Sequence, residues 1–463
     1  MQGNRYGQGR GLRLSFLATI AALLSGVLLA VPSLADEVYP QEDGSGVSET
    51  LPASPSLAGE KRGYQALLNW LEKYRDAEPT FQPGQRLTAA DQEALKPFIP
   101  LPAWEFYFFP EMEMEIAPTG TYPPPKGWGE NRVGGYYLKE DGSLIGFTGG
   151  GFPFSEIKPE DPQAAVKVLW NMLWRPGAYD YFMPMVAWSR SVGGKLDREL
   201  QFVSTSIEFA KGDYCLVPGY EEVRGKSLTE FRSPRDMAGT KNLRVNYIDP
   251  YKEENGWLYL PSQRRPRRQL TSERTSESGV FADSIPEDGI GFSGRVYQHT
   301  WRYLGKEKVL ATINLATHPE AGGPHLWVPN KAQWELRECH VIEQIPKNPG
   351  HPYSHKWLFI DAETFWTVWM VAYDRQEQLL RMGQDFLKYS EGYATEEALQ
   401  PPYLKLDYSA NVGQNVFTHI GQASINAQKP HGTFTHCYVV HREFSSGRAK
   451  QFYSLRNMVS GRR

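Results

Sequence analysis

Apolar side chains at Tyr64, Leu67, Leu68, Leu71 and Tyr74 fall three and four positions apart, and this spacing predicts an amphipathic helix. A second, short helix is expected across Ala89 to Leu95. The proline-rich passage from Pro100 to Pro125 reads as loop and edge strand, because proline cannot donate to a ladder. Tyr136-Tyr137-Leu138 and Leu144-Ile145-Gly146-Phe147 flank Glu140-Asp141-Gly142-Ser143, a hairpin with Asp-Gly at its turn. Asp161-Pro162 then opens a helix, with Asp161 as cap, Pro162 in the first turn, and Ala165, Val168, Leu169, Met172 and Leu173 on one face.

Strands dominate the remainder. They are expected at Leu200–Phe209, Gly256–Leu260, Arg295–Tyr303, Trp334–Ile345, Lys356–Ile360, Phe365–Tyr373 and Thr433–Phe444. Several are apolar at both parities, as in Trp357-Leu358-Phe359-Ile360, and such a strand needs cover on both faces. Periodicity alone leaves Asp374–Tyr389 as either a helix or a returning strand. No fixed-period repeat occurs and no linker interrupts residues 130–450, so residues 61–463 read as a single β-rich domain.

The N-terminus changes the picture of where the chain works. Arg5, Arg10 and Arg13 precede an apolar run from Leu14 to about Val31, and Ser33-Leu34-Ala35 has the small-x-small pattern of a cleavage site. Residues 1–35 therefore read as a cleaved signal peptide, and residues 36–60 as a polar, flexible segment. The formal net charge of −3 becomes more negative once those three arginines are removed, which excludes a nucleic-acid balance. No later run reaches the length of a membrane span, so a soluble periplasmic protein is expected. The aromatic content of 13 Trp, 25 Tyr and 22 Phe favours strands and large apolar surfaces. Cys215, Cys339 and Cys437 match no metal or redox spacing and read as buried thiols.

Motifs for chemistry are sparse. In the stretch from His431 to His441, strand alternation sends Cys437 and His441 one way and His436 the other, so no metal site is assigned. Gly149-Gly150-Gly151 lacks the Lys-Ser/Thr of a phosphate loop and reads as a turn with positive φ. No nucleophile elbow or zinc-binding His pair occurs, and neither catalytic residues nor a cofactor are assigned. The sharpest oddity is Arg264-Arg265-Pro266-Arg267-Arg268. Its four guanidiniums suit contact with an anionic head or an acidic partner, or else the blocking of a strand edge.

A set of ordered blocks carries a resemblance. They are Gly150-Gly151-Phe152-Pro153-Phe154, Lys158 to Pro162, Trp257 to Pro261 running into the arginines, Trp301 to Gly305, Trp334 to Arg337, Lys356 to Thr364, and Tyr373-Asp374-Arg375 with Leu380-Arg381. Together they resemble an exported bacterial family of unknown function, numbered thirteen-twenty-nine and described as outer-membrane lipoprotein-sorting-like, over about residues 80–455. The resemblance implies a mainly β (α+β) fold similar to LolA and LolB: a large curved antiparallel sheet, or incomplete β-barrel, with a few covering helices. It also implies that Asp374–Arg381 is a strand turn.

The function this implies is periplasmic binding and transfer of a lipophilic or amphiphilic molecule, with an efflux-type exporter or an outer-membrane component as partner. The expected apolar face is Trp257, Tyr259, Trp357, Phe359, Trp366 and Met370, with Arg264, Arg265, Arg267 and Arg268 at an anionic head or a partner. Two other classes stay open: an interaction protein with a filled interior, and an envelope hydrolase with a His and two carboxylates within hydrogen-bond reach.

Overall fold

Two-faced aromatic strands lie at the middle of the molecule because they are covered from both sides. In a computed structural model of the chain, the described residues are 62–130, 135–210, 220–269, 274–275, 283–391 and 399–460. The expected signal peptide, the segment 36–60 and Cys215 lie outside them.

The main sheet is built from two antiparallel meanders. The first holds β1 (Asp180–Ser191), β2 (Leu196–Glu208), β3 (Val223–Ser233), β4 (Lys241–Tyr247), β5 (Asn255–Leu260) and β6 (Arg265–Gln269). The second holds β7 (His299–Ala311), β8 (Ala332–Pro346), β9 (His355–Asp361), β10 (Thr367–Tyr373), β11 (Leu379–Tyr389), β12 (Phe417–Asn426) and β13 (His431–Cys437). They join where β13 pairs antiparallel with β1, so the order runs β7 through β13 and then β1 through β6. Among the described residues the two ends of this path do not pair with each other, so the sheet stays open and does not close into a barrel. One parallel pair, Glu113–Ile116 beside Ala332–Trp334, makes the sheet mixed.

The segment Asp374–Tyr389 is a turn followed by β11. The strand at Glu113–Ile116 was expected at an edge, yet it has partners on both sides, Arg86–Thr88 and β8. Pro184 sits inside β1, where the ladder breaks between the Cys437↔Met185 and Val440↔Phe182 pairs, so its missing N–H interrupts no regular pairing there.

Alternation along β9 divides the core. Trp357 and Phe359 pack beneath the N-terminal helix α1 (Tyr64–Tyr74), which buries Tyr64, Leu67, Trp70 and Leu71. Leu358 and Ile360 pack on the opposite side beneath α2 (Ala164–Trp174), with Val168, Leu169 and Met172. α2 begins later than expected, at Ala164 with Gln163 at its N-cap and no side-chain cap, so Asp161 and Pro162 lie in the turn before it, where Asp161 Oδ1 accepts from the Gln163 amide at 2.8 Å. The short C-terminal helices α3 (Ser446–Phe452) and α4 (Leu455–Ser460) cover one face of the first meander, over Ile207, Leu228 and Leu243.

Candidate ligand cavity

The face of the first meander turned away from α3 and α4 lines a half-open cavity of about 1190 Å³. Strand alternation explains its wall. Met183 and Met185 of β1, then Phe202, Ser204 and Ser206 of β2, face inward. So do Ser227, Thr229 and Phe231 of β3, and Leu258 and Leu260 of β5. The other wall comes from Trp170 and Trp174 of α2, the segment Ser284–Val296, and Trp366 and Met370 at β10.

That segment is fixed by buried charge. Lys356 Nζ donates to Asp288 Oδ1 at 3.0 Å and to the Gly291 carbonyl at 2.9 Å, with no part of Lys356 exposed. Gln344 Nε2 donates to Glu287 Oε1 at 2.7 Å. A buried cation and carboxylate are tolerated when they meet with good geometry, and here the pair ties the cavity wall to β9.

Of the six aromatic and methionine residues expected to face ligand, the structure places Trp366 and Met370 on the cavity wall. Trp357 and Phe359 are fully buried core beneath α1, with Phe359 edge-on to Trp70 at 6.2 Å. Trp257 and Tyr259 have the opposite parity to Leu258 and Leu260 and pack toward the C-terminal helices. Sequence reasoning missed Phe202, Phe231, Met183 and Met185. The signal available was a period of two in which apolar and small hydroxyl residues share one face, which is the composition of a wall against a polar-apolar space.

Arg264, Arg265, Arg267 and Arg268 are exposed on the hairpin that ends in β6, and none of them lines the cavity. Arg268 Nη2 donates to Asn255 Oδ1 at 2.7 Å.

The histidines separate into distinct environments. His318 and His436 stack at 4.4 Å, and burial lowers them to about 3 and about 4, so both rings are neutral at pH 7. His419, on the cavity wall, lies 3.0 Å from Asp385 Oδ1. Burial opposes its charge, but Cys437 and Asp385 raise it to about 10, which makes it a cation. Among the described residues, no group of three His, Cys, Asp or Glu side chains could hold a metal ion. Cys339 and Cys437 are free and buried.

These features define a mainly β protein with a large, half-open cavity of mixed polarity. The chain belongs to the family described as "protein of unknown function (DUF1329)", which matches residues 127–435. Similar solved structures include a putative outer-membrane lipoprotein-sorting protein domain from Vibrio parahaemolyticus. It is 16% identical, covering 65% of this chain and 100% of that one, with a TM-score of 0.42. A DUF1329 protein from Desulfovibrio piger is 18% identical, covering 64% and 98%, with a TM-score of 0.42. A LolA-superfamily protein from Nitrosomonas europaea is 10% identical, covering 60% and 92%, with a TM-score of 0.34. No curated protein matches the chain.

Proposed function

We propose that the protein is a periplasmic carrier that binds a lipophilic or amphiphilic molecule in its cavity and hands it on at the cell envelope. The observation that carries this reading is the cavity itself: its volume of about 1190 Å³ exceeds the roughly 300–1,000 Å³ of ordinary small-molecule sites. An interaction protein has no need of such a space, and a filled interior would have favoured that role. Each CH₂ moved from water onto the Met and Phe wall contributes about 0.8 kcal/mol. The exposed arginines of β6 then serve the hand-over, as contacts for an acidic partner.

Native mass spectrometry of protein purified from the cell envelope without detergent tests this. A stoichiometric lipophilic mass is expected. An empty protein that also fails to take up a fluorescent fatty acid would remove the carrier reading.

A further inference from the structure

Along β2 and β3 the cavity wall changes from polar to apolar residues. Down β2 the inward residues are Glu208, Ser206, Ser204 and Phe202. Down its partner β3 they are Ser227, Thr229 and Phe231, in register with Ser206, Ser204 and Phe202. The two phenylalanine rings meet at 5.4 Å. Met185, opposite Phe202, and Leu260 extend the apolar end. From Glu208 to Phe202 is six residues of strand, roughly 20 Å at the usual rise.

At the polar end lies a cation without a countercharge of its own. Arg175 follows α2 directly, lines the cavity, and rests its guanidinium 3.8 Å from the centre of the Trp366 ring. Nη1 donates to the Met172 carbonyl, while Nε is buried without a partner. Among the described residues no carboxylate oxygen stands within ion-pair distance of it. Asp385 acts on it through space but is already hydrogen-bonded to His419 at 3.0 Å. Arg224, its cationic neighbour, pairs with Glu208 at 3.6 Å. Burial, partly offset by Asp385, lowers Arg175 to about 10, as expected of an under-compensated charge. Arg175 thus stands beside two pairs that are already made, Arg224 with Glu208 and His419 with Asp385. Arg175 is half-buried where it meets the cavity, and a ligand there can supply its missing partner.

We infer that the cavity takes an amphiphile with a single anionic head, a carboxylate or phosphate monoester on one long apolar tail, with the head at Arg175 and the tail running toward Phe202 and Phe231. This rests on the carrier reading and deepens it: the head is recognised inside the cavity, by Arg175, and not by the arginines on β6.

The test compares oleate with oleyl alcohol, which share a tail and differ in charge, and adds inorganic phosphate as a free anion. Binding is measured to the wild-type chain, to Arg175→Met and to Arg175→Lys. Loss of a charge-assisted contact predicts that Arg175→Met binds oleate about 10- to 100-fold more weakly. Oleyl alcohol should stay within about twofold, and Arg175→Lys should recover part of the loss. A merely structural arginine, capping α2 and stacking on Trp366, would weaken both probes together, and that result overturns the inference. So does an unchanged oleate affinity. Inorganic phosphate binding the wild type as tightly as oleate would reassign the pole to free anions and also overturn it. If neither lipophilic probe binds the wild type, the carrier reading itself fails.

Discussion

Glu307 shows what a single buried carboxyl does to this protein. Its side chain is 4% exposed, Oε1 has no hydrogen bond, and the nearest cation is Arg75 at 3.6 Å. Burial raises the group from 4.5 to about 7, against the opposing pull of Arg75. A carboxyl whose folded value lies above its unfolded one favours folding at low pH, and that contribution is lost as pH rises from 4.5 through about 7. Glu307→Gln removes the titration. It is expected to stabilise the protein at pH 8 by on the order of 1–3 kcal/mol and to change little at pH 4. Chemical denaturation at the two pH values checks this, and equal effects at both would rule out the linkage.

Strands of the second meander owe their stability to cover on both faces. Leu358 of β9 is fully buried against the α2 side, while its neighbours Trp357 and Phe359 lie against the α1 side. Leu358→Ala should therefore cost about 2–5 kcal/mol, seen as a lower denaturation midpoint, whereas an exposed leucine such as Leu196 should cost far less. The same physics decides which strands could be read from sequence. β9 and β10 are legible because a strand covered on both faces carries apolar residues at both parities, as in Trp357-Leu358-Phe359-Ile360 and Val368-Trp369-Met370-Val371. β3, β4 and β12 are not, because one face meets a cavity that admits Ser227, Thr229, Asn242 and Gln422 and so imposes no apolar parity. Pro184 hides β1 in the same way, since a proline reads against an interior strand. For the candidate site, the two residues of β10 and its approach were within reach because they lie on legible strands. Arg175 was not, because a lone arginine after a helix carries no pattern.

At the scale of the molecule, the join between β13 and β1 makes one sheet of two meanders. Ser189 and His431, 242 positions apart, sit on neighbouring strands there. Breaking this join would expose the edge of each half, so β1 and β13 should open only with the whole fold. Native-state hydrogen exchange is expected to show their paired amides among the slowest, together with those of β9 and β10. Early exchange of β13 by itself would mean that the two meanders unfold separately.

That join also sets a timetable. A chain emerging at about 5–20 residues per second presents β1 on the order of 10–50 s before its partner β13 exists outside the ribosome. Throughout that interval the first meander carries a bare row of N–H and C=O groups, a template on which a second nascent chain could pair. The native sheet is thus unavailable until β13 has been made, and the growing polypeptide depends on being kept loose and escorted until that strand arrives.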